Sequence, residues 1–196
     1  MKTTLLILSL LGCPPADLEY DDSDIATPVE EFVPTEFGVI EAEDCDQKAI
    51  GSSVCDIVLY DQNGDVWRLY DLKGNVIILD FSTAWCGPCQ NAGMYTQKIQ
   101  DDYGDDIVFA TFLIEGFTYG VSPTEEEINA WVTDHIVTTA PVLYASRDYV
   151  MDNAGMTGYL VGGFPTYVFL DKELKIHTGA VGFNEQYVRT TIEELL

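Results

Sequence analysis

Val76-Ile77-Ile78-Leu79-Asp80-Phe81-Ser82-Thr83-Ala84-Trp85-Cys86-Gly87-Pro88-Cys89 is the stretch whose reading decides the fold. Val76 to Phe81 is apolar apart from Asp80, the pattern of a strand buried on both faces. The two cysteines then open a helix expected to run from Cys86 to about Gln100. At a helix start the first N–H groups lack intrahelical partners, and the macrodipole places partial positive charge there. That position favours a thiolate at Cys86 over the thiol. Cys89 lies one turn further along the same face, placed to resolve a mixed disulfide formed at Cys86. Pro88 lacks an N–H, which costs nothing in a first helical turn.

A Cys-x-x-Cys pair can also be half of a zinc knuckle, which requires a second pair or histidines at ligand spacing. The remaining cysteines, Cys13, Cys45 and Cys55, are spaced unlike a knuckle, and His135 and His177 are solitary. No metal is expected, and each histidine reads as a surface or satisfied core residue. The chemistry left for Cys86 and Cys89 is thiol–disulfide exchange.

Outward from this stretch, Val54 to Leu69 reads as a strand pair turning at Asn63-Gly64. Downstream, Ile107 to Ile114 is a second apolar strand. Ser122-Pro123-Thr124-Glu125 signals a helix ending near His135, with Ile128, Trp131 and Val132 on one face. A short strand at 142–145 and a short helix around 149–153 complete this central region. Strands at 166–170 and 176–181, joined at Lys172-Glu173, precede a last helix from Asn184 to Leu196. That helix is expected to turn Tyr187, Ile192 and Leu195 inward. Strands alternating with helices before an antiparallel edge predict an α/β fold with a mixed central sheet flanked by helices.

Val76 to Cys89 resembles the active-site strand and helix of the thioredoxin superfamily, and Gly163-Phe164-Pro165-Thr166-Tyr167-Val168-Phe169-Leu170-Asp171 resembles its cis-proline loop and following strand. The resemblance covers about residues 50 to 196. Within the superfamily it points to the TlpA/ResA-like thiol-disulfide oxidoreductases, which carry an extra N-terminal strand pair and a central insertion. It implies an enzyme that exchanges a Cys-Gly-Pro-Cys disulfide with protein disulfide or dithiol substrates, as a reductase, without a cofactor.

The same resemblance assigns site residues. Cys86, exposed at the turn, is the attacking thiol and Cys89 the resolving one. Asp80 matches the buried acid of thioredoxins that relays a proton for the resolving cysteine, whereas many TlpA/ResA-like proteins have a neutral residue there. Burial of a carboxyl at a strand end raises its pKa. No Lys or Arg occurs between Lys98 and Arg147, so the basic neighbour of thioredoxins is missing, and Gln90 stands where they usually carry a basic residue. Pro165 is the expected cis proline, leaving backbone groups free to pair with a substrate strand. Trp85, Gly87, Pro88 and Phe164 would shape the docking surface. Glu115 loosely resembles an accessory acid of the ResA-like branch, and reads equally as an ordinary loop acid.

The chain has 196 residues and a formal net charge of -24, with 9 basic residues against 33 acidic. Such a surface repels phosphate backbones, so nucleic acid is excluded as a partner. Met1-Lys2, the apolar stretch Leu5 to Leu11 and Gly12 suggest an export signal over residues 1–12. Leu10-Leu11-Gly12-Cys13 resembles the bacterial lipobox, which implies lipidation at Cys13; the other reading is a buried strand with an incidental cysteine. Residues 13–45 are acidic and punctuated by Pro14, Pro15, Pro28 and Pro34, the composition of a tether, although Phe37, Val39 and Ile40 are apolar enough to dock on a domain spanning 46–196. With Cys13 lipidated and Cys86–Cys89 redox-active, Cys45 and Cys55 remain as a structural disulfide or as two free thiols. Together these features imply a bacterial cell envelope protein, periplasm-facing and lipid-anchored, served by a membrane electron donor. A thiol peroxidase is disfavoured by the vicinal pair. A non-enzymatic metallochaperone or interaction module is disfavoured by the narrow cysteine spacing.

Overall fold

β4 (Val76–Thr83) is buried along its whole length, and the rest of the architecture is arranged around it. The computed structural model describes residues 38–40, 44–150 and 159–196. The expected export signal, Cys13, nearly all of the tether and part of the short helix around 149–153 lie outside the described residues. The remaining strands are β1 (Gly38–Ile40), β2 (Asp56–Tyr60), β3 (Val66–Arg68), β5 (Ile107–Glu115), β6 (Val142–Tyr144), β7 (Thr166–Leu170) and β8 (Ile176–Val181). The helices are α1 (Gly87–Tyr103), α2 (Glu125–Asp134), α3 (Arg147–Val150) and α4 (Glu185–Leu195).

β6-β5-β4-β7-β8 form one mixed sheet, with β4, β5 and β6 parallel and β7 and β8 antiparallel. β1-β2-β3 form a separate antiparallel sheet. β1 comes from the stretch read as tether and pairs with β2, Val39 opposite Ile57.

Alternation along β4 divides the core in two. Ile77, Leu79 and Phe81 join Phe112, Ile114, Ile57, Leu59 and Trp67, the last three from the small sheet. On the opposite face Val76 and Ile78 meet Phe109, Phe169, Ile99 of α1 and Val188 and Ile192 of α4. Each such fully buried aliphatic side chain contributes about 1.5–3 kcal/mol. Asp80 has the parity of Ile78, so its carboxyl faces the helical layer that contains α1.

Two local expectations change. The β2–β3 connection is a wider loop than a two-residue hairpin turn, because the Asp61 carboxylate accepts the Asn63 and Asp65 N–H groups at 2.8 and 3.0 Å. Gly64 still takes the positive φ, 82°, that the turn requires. In α4 the inward stripe is Val188, Thr191 and Ile192, with Leu195 partly buried. Tyr187 is 40% exposed, its ring meeting Phe169 edge-on. The Asn184 cap, whose side chain accepts the Tyr187 N–H at 2.9 Å, sets this rotation.

Candidate active site

β4 runs straight into the cysteine turn. Ala84 N–H donates to the Glu115 carbonyl at 2.9 Å, and Cys86 N–H to the Thr83 carbonyl at 3.3 Å. Cys86 is the N-cap of α1 with extended backbone, φ -85° and ψ 112°. Its sulfur accepts the Cys89 N–H at 3.3 Å, one of the donors a helix start leaves unpaired. Gly87 and Pro88 lie exposed at the first turn. Gln90, read from sequence as a missing cation, instead pins the turn by donating from Nε2 to the Ala84 carbonyl at 2.7 Å.

Cys86 is only 5% exposed, against the open position expected, while Cys89 is fully covered. The cover comes from Phe164, 78 residues along the chain, whose carbonyl oxygen lies 3.5 Å from the Cys86 sulfur. The Phe164–Pro165 peptide is cis. Burial, followed by the hydrogen bond with Cys86, pushes the Cys89 thiol up, so it stays protonated until a base takes the proton.

Asp80 is completely buried. Burial raises its carboxyl from 3.8 to about 7, against the opposing pull of the Ser82 and Thr111 hydroxyls. Ser82 Oγ donates to Oδ1 at 2.7 Å. The Thr111 hydroxyl, opposite on β5, falls short of hydrogen-bonding geometry, and Oδ2 has no partner among the described residues. Asp80 in turn adds to the upward push on Cys89. Tyr167, paired with Asp80 across β4 and β7, is buried with its hydroxyl unpartnered among the described residues.

Glu115, the accessory-acid candidate, ends β5 with its side chain 1% exposed. Trp85 Nε1 donates to its Oε2 at 2.5 Å, and Arg147 Nε to its Oε1. Burial pushes this carboxyl up, but the Gly120 N–H, Arg147 and Trp85 together hold it below the usual range. The Arg147 guanidinium lies 5.6 Å over the rings of both Tyr119 and Phe164. Trp85, 39% exposed, sits 5.4 Å from the Tyr119 ring and 6.1 Å from that of Phe164. Sequence reasoning missed Arg147 and Tyr119. The one available signal was that Arg147 is the only basic residue between Lys98 and Lys172.

His135 is a buried core residue. Nδ1 lies 2.8 Å from the Trp131 carbonyl and Nε2 3.0 Å from that of Gln90, tying the end of α2 to the first turn of α1. A Cβ at Gly93 would come within 2.6 Å of this ring, which explains a glycine inside α1. His177 is on the surface, 3.8 Å from Glu194. Cys45 and Cys55 are joined as a disulfide, Cα to Cα 4.8 Å, at the leading edge of β2.

A dithiol at the start of a helix, beside a cis proline and above a buried carboxyl, on this mixed sheet, defines a thioredoxin-fold protein. No protein-family model matches the chain. Curated relatives do. The thiol-disulfide oxidoreductase ResA of Geobacillus thermodenitrificans is 28% identical over 132 residues, 65% of this chain and 67% of the relative. The thioredoxin-like protein YneN of Bacillus subtilis is 27% identical over 134 residues, 67% of this chain and 72% of the relative. Among solved structures, the exposed lipoprotein thioredoxin of Streptococcus pneumoniae is 30% identical with a TM-score of 0.60, covering 72% of this chain and 100% of that one. The chain belongs to the thioredoxin superfamily as a TlpA/ResA-like member.

Proposed function

We propose that this protein is an exported, membrane-anchored thiol-disulfide oxidoreductase that reduces disulfides of protein substrates through Cys86 and Cys89. The observation that carries the reading is the order of the thiols. Cys86 caps α1 with its sulfur beside the Phe164 carbonyl, and Cys89 lies fully buried behind it, near Asp80.

In the reducing direction the Cys86 thiolate attacks one sulfur of the substrate disulfide. The substrate's S–S bond breaks, its other sulfur leaves as a thiolate, and a mixed disulfide remains. Asp80, ionised, takes the proton of Cys89, whose sulfur attacks Cys86 Sγ. The second substrate sulfur leaves, takes up a proton and is released as a thiol. The substrate gains two electrons, and Cys86 and Cys89 end as a disulfide that a membrane electron donor must reduce again. The cis Pro165, with Phe164, Trp85, Gly87 and Pro88 around it, receives the substrate strand.

Residues 1–12 act as the lipoprotein-type signal, Cys13 carries the lipid, and the part of the 13–45 stretch that precedes β1 serves as the spacer, since β1 itself pairs with β2. Among the described residues no helix is long and apolar enough to cross a membrane.

Insulin-disulfide reduction tests the chemistry. Cys86→Ser abolishes it, and Cys89→Ser accumulates a substrate mixed disulfide that a non-reducing gel resolves. Trapping through Cys89 in Cys86→Ser would reverse the assignment. Mass spectrometry of the mature N-terminus tests the anchor: a diacylated Cys13 is expected, and an intact Met1 in membrane-free fractions contradicts it.

A further inference from the structure

The loop after β5, residues 116–121, is held at both ends yet presents its large side chains outward. Gly116 N–H donates to the Val121 carbonyl at 2.9 Å, and Phe117 N–H to Glu127 Oε1 at 2.7 Å. Glu127 also closes the α2 capping box with Thr124. A Cβ at Gly116 would fall 2.2 Å from the Glu127 carboxylate and would push it off the hydrogen bonds that hold the loop. The Gly120 N–H faces the Glu115 carboxyl closely enough to lower its pKa. Despite this, Phe117, Tyr119 and Val121 are 55%, 72% and 51% exposed. Apolar side chains held out to water on an ordered loop beside a reactive sulfur are the composition of a preformed binding surface.

The exposed loop reaches Cys86 through Tyr119. Tyr119 meets Trp85, Trp85 meets Phe164, and the Phe164 carbonyl meets the Cys86 sulfur. One cation stands within this set of rings, Arg147, 5.6 Å over those of Tyr119 and Phe164. Arg147 is the only base between Lys98 and Lys172, and its charge is met by Glu115. Glu125 and Glu126 stand exposed at the start of α2, which follows the loop, and the whole chain carries -24.

We propose that Trp85, Phe117, Tyr119 and Phe164 form a docking rim for an extended cationic polypeptide, one that carries Lys or Arg beside the cysteine whose disulfide is exchanged. This rests on the oxidoreductase reading and names its substrate class. The apolar stems of Lys and Arg lie along the ring faces that Arg147 leaves open, and their charges are drawn by the net acidity of the chain.

The test uses the intact protein and three disulfide probes. Two are cyclic peptides identical except for Lys or Glu residues flanking the cysteines, and the third is hydroxyethyl disulfide, small and uncharged. At low ionic strength kcat/KM for the Lys peptide should exceed that for the Glu peptide about 10-fold, and salt near 0.5 M should bring the two within about 2-fold. The double variant Phe117→Ser/Tyr119→Ser should lower the Lys-peptide rate, relative to hydroxyethyl disulfide, by about 5-fold or more. Equal rates for the two peptides with the wild-type protein overturn the proposal while leaving the oxidoreductase reading intact, and so does a Lys preference unchanged in the double variant. No turnover of any of the three probes overturns the oxidoreductase reading itself.

Discussion

Replacing Asp80 with Asn should stabilise the protein and slow it, and both effects should depend on pH in a defined way. The carboxyl titrates near 3.8 in an unfolded chain and near 7 in the folded one, because burial is its largest influence. Below about pH 4 both states carry the proton, and Asp80 costs nothing relative to Asn. Between about pH 4 and 7 the folded state holds one more proton than the unfolded state. Stability therefore falls by about 1.4 kcal/mol per pH unit as pH rises. Above about pH 7 the loss is complete and amounts to about 4 kcal/mol. Asp80→Asn removes that loss while keeping an oxygen to accept the Ser82 hydroxyl. Urea unfolding of the oxidised proteins, in which neither Cys86 nor Cys89 titrates, reads the difference. With a slope of about 2 kcal/mol/M, the variant's midpoint should match wild type near pH 4 and exceed it by about 2 M near pH 8. In single-turnover release of the substrate thiol near pH 7.5, the variant should be about 10- to 100-fold slower, the low range for loss of a general base. Parallel urea profiles from pH 4 to 8 would refute the burial argument, and equal release rates would remove Asp80 from proton transfer.

Gly93→Ala should lower the urea midpoint even though alanine favours a helix interior by about 1 kcal/mol. The new methyl meets the His135 ring, held by two carbonyls, at 2.6 Å, and overpacking costs about 1–3 kcal/mol; His135→Ala in the same chain should recover part of the loss, and a stabilised Gly93→Ala would contradict the packing. Glu115→Gln should destabilise by about 2 kcal/mol, below the roughly 3–5 of a fully buried pair because Arg147 is 32% exposed. The same variant should shift the Trp85 fluorescence, read as a change absent in a Trp85→Phe background, since Glu115 accepts the indole N–H. It should also raise KM for the Lys-flanked peptide more than it lowers kcat. An unchanged Trp85 signal would mean that the indole is held by something other than Glu115.

The parts of the molecule written in local pattern were legible in advance. The apolar run of β4, the helix start at Cys86 and the helix signal at Ser122-Pro123-Thr124-Glu125 are set by residues within a turn of one another, so periodicity and capping chemistry suffice to place them. Where the outcome depended on a distant partner, the sequence pointed elsewhere. Cys86 is covered because Phe164 arrives from the cis-proline loop. Gln90 looked like a lost charge until the Ala84 carbonyl supplied its partner. Glu115 could not be told from a loop acid, since its meaning lies in Trp85 and Arg147, 30 and 32 residues away. Tyr187 and Val188 are adjacent, and only the rotation set by the Asn184 cap decides which faces the sheet.

The central claim is that Cys86 and Cys89 act as one reversible two-electron couple. Equilibrating the intact protein in glutathione buffers spanning roughly -320 to -120 mV, then alkylating and weighing it, tests this directly. The account predicts one transition in which both thiols disappear together, with a slope of about 30 mV per tenfold change in ratio, and peptide mapping that assigns it to Cys86 and Cys89. Independent oxidation of the two thiols, or their full alkylation at every potential, would contradict it.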